Sequence, residues 1–269
     1  MNTSVISLAG VNVNYIDGDP CSLQKHCHDC YEILCVISGQ GEYILEGSSI
    51  SIRKRSLILL PPLAYHSVTS SSDSGLEAYV IHFQKSLLPD YALSMLDGLF
   101  AEQENGRYFS PDSVPESLSA LFDQFGVAAR LPDEQKRAFV STLAAQIVIL
   151  LSAAAGEGVS FADDELGAKV IRYLNSNIEK NVSLDKLAKH FFVSKYHLCR
   201  AFKRYSGTSV HAYINHKRIM YAKQLIESGE TAQSAAYKVG FGDYSAFYRA
   251  YVKIVGVSPK FEHTREGEK

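Results

Sequence analysis

The chain has 269 residues, 46% hydrophobic and 21% charged, with a net charge of −2. That composition excludes a disordered polymer and supplies enough apolar material for two domains with separate cores. The small total conceals an asymmetry: residues 1–164 sum to −11 and residues 165–269 to +9, so the C-terminal half suits an anionic partner and the N-terminal half does not.

The opening stretch, MNTSVISLAGVNVNYIDGD, has no basic segment followed by an apolar one and a cleavage site, so a secretory signal is not expected. Of five cysteines, Cys21, Cys27, Cys30 and Cys35 crowd together without the even spacing of a secreted disulfide scaffold, which points to a reducing cytoplasm. Cys27 and Cys30 form a C-x2-C pair without a second pair at matching spacing. Buried or incidental thiols are the plain reading and a thiol-based sensor the sharper one.

Through about residue 85 the chain reads as short strands. YEILCVIS, GEYILEG, SISIRKRSLILLPP and EAYVIHF are rich in Val, Ile, Leu and Tyr, and Gly39, Gly41, Gly47 and Pro61–Pro62 punctuate them. Such spacing points to a small barrel or sandwich. Tyr15, Tyr31, Tyr43, Tyr65 and Tyr79 scatter over these strands. Some would line a barrel mouth and suit a sugar or small acid; equally, tyrosine simply favours sheets.

Within this region His26-x-His28-x3-Glu32-x6-Gly39 is followed by His66 in LPPLAYH. The pattern resembles the cupin metal signature, with Leu63 where cupins usually carry Gly. The resemblance implies a cupin-like β-barrel, and imidazole with carboxylate suits a divalent transition metal. The expectation is that no metal or cofactor is bound; a metal at His26, His28, Glu32 and His66 is the alternative. With it comes the competing function, a metal-dependent cupin dioxygenase or isomerase with a basic helical appendage.

From about Leu87 helical signals take over. In DEQKRAFVSTLAAQIVILLSAAAG, acidic residues suit a helix start, and Phe139, Leu143, Ile147, Leu150 and Leu151 recur at helical spacing. The run approaches membrane-span length, but Ser141, Thr142, Gln146 and Ser152 interrupt it, which favours a buried or dimer-forming helix. GEGVSFADDE then reads as a linker. The expected division is a cupin-like domain over 1–110, a helical dimerisation segment and linker over 111–164, and a third region over 165–269.

In SLDKLAKHFFVSKYHLCRAFKRYSG, Ser183 suits the N-cap of one helix and Ser194 that of the next. Leu184, Leu187 and Ala188 share a face of the first, while Leu198 and Phe202 form the inward stripe of the second. Lys195, Tyr196, Cys199, Arg200 and Lys203 then point outward, giving a helix-turn-helix with a basic face. The pattern occurs twice. Ala188 recurs as Ala236 at an offset of 48, and Arg200, Gly207 and Ser209 recur as Arg249, Gly256 and Ser258 at 49, one extra residue in the second turn accounting for the slip. Asp243 caps the second copy's last helix, Phe247 and Tyr251 repeat the stripe, and Val193 and Phe241 plug the two turns. VHAYINHKRIMYAKQLIES reads as a rigid linking helix.

These residues, with AAYKVGFGDYSAFYRAYVKIVGVSPKF, closely resemble the paired helix-turn-helix domain of the AraC/XylS transcription regulators over about the last 100 residues. Val252 stands where the family usually has Lys, and Glu262 and His263 near a usual Arg, which weakens phosphate contacts in the second unit. The fold expected is α+β in two domains: an N-terminal cupin-like β-barrel with a helical dimerisation segment, and a C-terminal all-α double helix-turn-helix. The function implied is a cytoplasmic, sequence-specific transcription regulator and not an enzyme. By the resemblance its partners are double-stranded DNA, a second copy of itself and RNA polymerase, with activation the commoner habit. Arg200 and Arg249 are expected to contact guanine. Lys195, Tyr196 and His197, and Tyr244 and Ser245, touch bases or sugars, while Lys203, Arg204 and Lys253 grip phosphate. His197 also has a structural reading beneath its helix, and Tyr244 one as packing. In regulators of this type the barrel binds a small organic effector, here with His26, His28, Glu32, Tyr43 and His66 as contacts.

Overall fold

The computed structural model describes residues 2–18, 25–70, 75–100, 105–154, 157–158, 165–180 and 182–259, and the chain divides into two compact units. One comprises residues 1–24 with 30–160, the other residues 25–29 with 161–269. Cys21, most of the expected linker, Glu262 and His263 lie outside the described residues.

Alternating apolar residues build the first unit from β1 (Asn2–Leu8), β2 (Val11–Ile16), β3 (Tyr31–Leu45), β4 (Ser48–Arg53), β5 (Leu57–Leu60), β6 (His66–Thr69), β7 (Leu76–Phe83), β8 (Arg107–Phe109) and β9 (Glu157–Gly158). Hydrogen bonding runs β1-β2-β7-β3-β5-β8-β9, with β4 and β6 each paired to β3. The 15-residue β3 is the spine. Its beginning lies between β7 and β5, its end between β4 and β6, and a register shift between Val36 and Ser38 separates the two regions.

This corrects the expected β-barrel. The path ends on β1 and β9, which among the described residues do not pair with each other, so the sheet stays open. The physical reason lies in the alternation itself. Leu34, Val36, Ile58, Leu60, Ala78 and Val80 turn to one side, into a core shared with Tyr43, Leu45, Ile52 and Val68. Ile33, Cys35, Leu57, Leu59, Ile81 and Phe83 turn to the other, where α1 (Asp90–Leu99), α2 (Ser117–Ala128) and α3 (Asp133–Ala153) bury them. Strands that are apolar on both faces need a cover on both. The helices supply one cover and the folded-over end of β3 with β4 and β6 the other, so both faces are buried without closure.

Helix α3 is long and apolar enough, by length and composition, to cross a membrane. Val140, Leu143, Ala144, Ile147, Val148 and Leu151 nevertheless lie buried in the core that the three helices share with the sheet.

In the second unit α4 (Leu166–Asn175) precedes two similar pairs, α5 (Leu184–His190) with α6 (Lys195–Ser206), and α8 (Ala232–Lys238) with α9 (Tyr244–Val255), joined by α7 (Val210–Glu227). Helices α6 and α9 have 12 residues each. Leu198 and Phe202 in one, and Phe247 and Tyr251 in the other, are completely buried. Side chains of Ser183, Ser194, Thr231 and Asp243 each accept a hydrogen bond from the first turn of the helix that follows. Both long helices end on a left-handed glycine, Gly207 or Gly256, the usual device for stopping a helix.

Candidate nucleic-acid interface and buried polar cluster

Two backbone bonds fix each helix-turn-helix turn. Val193 N donates to Ala188 O at 3.0 Å, and Phe241 N donates to Ala236 O at 3.0 Å. One bond earlier, Phe192 N reaches Lys189 O and Gly240 N reaches Tyr237 O. Phe192 and Gly240 thus hold the same place, and both are left-handed, with φ of 55° and 86°. The extra residue of the second copy is Gly242, after which Asp243 takes the place of Ser194. Val193 and Phe241 are half-buried plugs, whereas Phe192 is 96% exposed.

Capping sets the direction of each reading helix. Ser194 Oγ accepts from His197 N at 3.2 Å, and Asp243 accepts from Ser245 N at 3.2 Å and Ala246 N at 2.8 Å. Arg200 and Arg249 are both exposed, 49 positions apart on helices of equal length. Lys195, His197, Lys203, Arg204, Ser245 and Lys253 are exposed too, so His197 does not sit beneath its helix. Tyr196 is 72% exposed, and the Arg200 guanidinium lies over its ring, 5.6 Å from the centroid. Lys195 Nζ is held 2.6 Å from Asp185 Oδ1, a tether between α6 and α5. Tyr244 is half-buried, its ring tilted against Phe247 at 5.7 Å.

In the first unit a different chemistry gathers. Register sets Glu32 on β3 directly opposite His82 on β7. Tyr43 Oη donates to Glu32 Oε1 at 2.9 Å, while His82 Nε2 and His66 Nε2 lie 2.9 Å and 3.1 Å from Glu32 Oε2. His66 Nδ1 is 2.9 Å from Ala64 O. The Ala64 carbonyl only accepts, so Nδ1 carries a proton, and an ionised Glu32 carboxylate beside Nε2 favours the imidazolium form. Burial alone would lower the His66 pKa, yet the Glu32 charge and hydrogen bond, together with the Ala64 carbonyl, raise it. The stack of Tyr43 on His66, 5.7 Å between centroids, completes the cluster.

Of the expected effector contacts, the first unit thus joins Glu32, Tyr43 and His66. His26 and His28 belong to the second unit, their rings edge to face at 4.6 Å. His82 escapes sequence reading because only strand register brings it to Glu32. The donor set of Glu32, His66 and His82 is one that a divalent metal accepts; here the three groups satisfy one another by hydrogen bonds. Leu63 has a φ of 68°, so the conformation that favours glycine at that place is kept without it. A separate cleft of about 750 Å3, lined by Gln40, Glu42, Ser51, Arg53, Thr69 and Tyr108 among others, opens in the same unit. Cys35 and Cys199 are free thiols, and burial pushes the pKa of Cys35 up to about 12.

Two tandem helix-turn-helix units with exposed arginines at matching places define a DNA-binding transcription regulator. Residues 187–263 match the family model described as a helix-turn-helix domain, and residues 21–161 match the AraC-like ligand binding domain. The chain belongs to the AraC/XylS family of transcription regulators, a family of DNA-binding proteins and not of enzymes. It is similar to the probable transcriptional regulator LumQ of Photobacterium leiognathi, 25% identical over 87% of this chain and 89% of that one. The transcriptional activator RhaS of Salmonella schwarzengrund is 24% identical over 88% of this chain and 86% of its own. Among solved structures, an apo variant of ToxT from Vibrio cholerae with one lysine replaced by alanine aligns over 94% of this chain and 97% of its own, with 18% identity and a TM-score of 0.44.

Proposed function

We propose that the second unit reads a specific DNA sequence through two neighbouring major-groove segments, and that the first unit adjusts this reading on binding a small effector. One observation carries the DNA half: exposed Arg200 and Arg249 recur at the same place on two equally long, equally terminated helices. Arginine presents paired donors to guanine O6 and N7. Lys195, Tyr196, His197, Tyr244 and Ser245 contact bases or sugars, and Lys203, Arg204 and Lys253 contact phosphates. The two segments lie about one helical turn, roughly 34 Å, apart. A dimer of such chains reads repeated sites and activates transcription, as the similar RhaS is named for doing, with RNA polymerase the partner that the AraC/XylS resemblance implies.

Selection from a random duplex pool by the full-length protein is expected to return one two-part consensus. Arg200→Ala and Arg249→Ala each weaken binding to it about tenfold or more, each relaxing preference at its own half. Variants that bind the consensus as the wild type does would remove these side chains from base reading.

The effector reading rests on the AraC-like ligand binding domain match, on the Glu32, Tyr43, His66 and His82 cluster, and on the cleft beside Arg53. A ligand at a hundred times its Kd stabilises a fold by about 2.7 kcal/mol. Thermal melting with a panel of monosaccharides and small carboxylic acids should yield one compound that raises Tm. Loss of that shift in Glu32→Gln assigns it to the cluster, and loss in Arg53→Ala assigns it to the cleft. A shift that survives both substitutions would overturn these assignments.

A further inference from the structure

Two reading heads discriminate a two-part DNA site only if their separation is fixed, and besides α7 itself one buried side chain bonds to both. Arg218, midway along α7, is 8% exposed. Its Nε donates to Ile178 O at 2.9 Å and its Nη2 to Lys180 O at 2.5 Å, both in the segment between α4 and α5. Its Nη1 donates to Gly240 O at 3.3 Å, in the turn between α8 and α9. One planar guanidinium therefore ties the base of the first helix-turn-helix to the turn of the second. Its rigid planar fork aims one nitrogen at each of three carbonyls, whereas the three donors of lysine sit on a single nitrogen and do not span them.

Gly240 is shaped around this bond. Its φ of 86° disfavours a side chain, and a Cβ there would meet Glu179 O at 2.8 Å and Arg218 Nη2 at 3.0 Å. The neighbouring Lys217 fastens the first half of this tie, between α7 and α4. Its Nζ donates to Asn175 Oδ1 at 2.7 Å, where Tyr213 Oη also donates at 2.8 Å, at the C-terminal end of α4. That end of a helix attracts cations.

We infer that Arg218 is a positioning residue that sets the spacing between the two DNA segments the protein accepts, without touching DNA itself. The inference rests on the DNA reading proposed above. Each base pair inserted between the segments displaces the second by about 3.4 Å and turns it by about 35°, so a rigid reader pays heavily for it and a loosened one does not.

The test uses full-length protein and the duplex that wild type selects from a random pool, together with versions carrying one base pair more or fewer between the two protected segments. Wild type is expected to lose about tenfold or more in affinity on the altered duplexes. Arg218→Lys should bind the selected duplex more weakly and show an altered-spacing penalty of about threefold or less. Gly240→Ala, which crowds the guanidinium instead of removing it, should lower the penalty in the same direction. Partial unfolding reduces active protein on every duplex alike, so the ratio between duplexes reports geometry even from a destabilised variant. An unchanged ratio in both variants would overturn the role of Arg218 while leaving DNA reading intact. Wild type that selects no duplex would overturn both.

Discussion

Phe192 and Gly240 show what one side chain costs at a fixed backbone position. Both occupy the left-handed region in the same turn, but only Gly240 does so without a Cβ. The left-handed state costs an L-residue about 1–2 kcal/mol, partly offset on substitution by the greater freedom of unfolded glycine. Since Phe192 is 96% exposed, little packing is lost with its ring. Phe192→Gly should therefore stabilise the protein by about 0.5–1 kcal/mol, read as a higher urea midpoint; a lower midpoint would mean that the ring has a partner. His66 gives a prediction of a different kind. Its pKa is raised in the fold, so its pairing with Glu32 contributes fully below the unfolded value of about 6.5. The contribution is lost as pH rises through the folded value. The urea-midpoint difference between wild type and His66→Gln should accordingly shrink as the pH is raised from about 6 to 9, and a difference that stays flat would contradict the imidazolium assignment.

Helices were more legible in the sequence than the sheet was, for a physical reason. A helix announces its ends locally: Ser183, Ser194 and Asp243 were readable as caps, and each accepts a first-turn hydrogen bond. Ser194→Ala and Asp243→Ala should each lower stability by about 1 kcal/mol, measured by thermal or urea unfolding. A loss in one and none in the other would mean that the two units are not equivalently capped. The sheet is a matter of distant partners. Strand-like stretches around Tyr31–Leu45 and Leu76–Phe83 were visible, but their register was not, and with it went the Glu32 and His82 pairing. Nor could the strand-like runs alone tell a closed barrel from an open sheet, because only the fold shows that one face is covered by α1, α2 and α3 and the other by β4, β6 and the end of β3. Arg218 hid for a similar reason. In HKRIMYAKQ it reads as one more surface cation, and only the fold encloses it.

At the level of the whole molecule, the two halves carry opposite charge, −11 over residues 1–164 and +9 over 165–269. Binding to DNA therefore weakens steeply with salt, by about 0.9 in logarithmic slope for each phosphate neutralised. The basic residues are unevenly shared. Helix α6 carries Lys195, Arg200, Lys203 and Arg204, whereas α9 carries Arg249 and Lys253. Replacing Lys203 and Arg204 together by Gln should reduce the slope of log Kd against log salt by about 2, and Lys253→Gln by about 1. Equal slopes for all three proteins would mean that these groups do not meet phosphate. The caps deepen the imbalance. Ser194 begins α6 with a neutral hydroxyl, but Asp243 occupies the positive end of α9 with its own carboxylate, bonded to Ser245 N and Ala246 N. A phosphate approaching that second helix finds its berth already filled by an anion. Under the DNA reading proposed above, the larger share of the ionic grip falls to the leading helix, so that rising salt should release its segment of duplex before that of the trailing one.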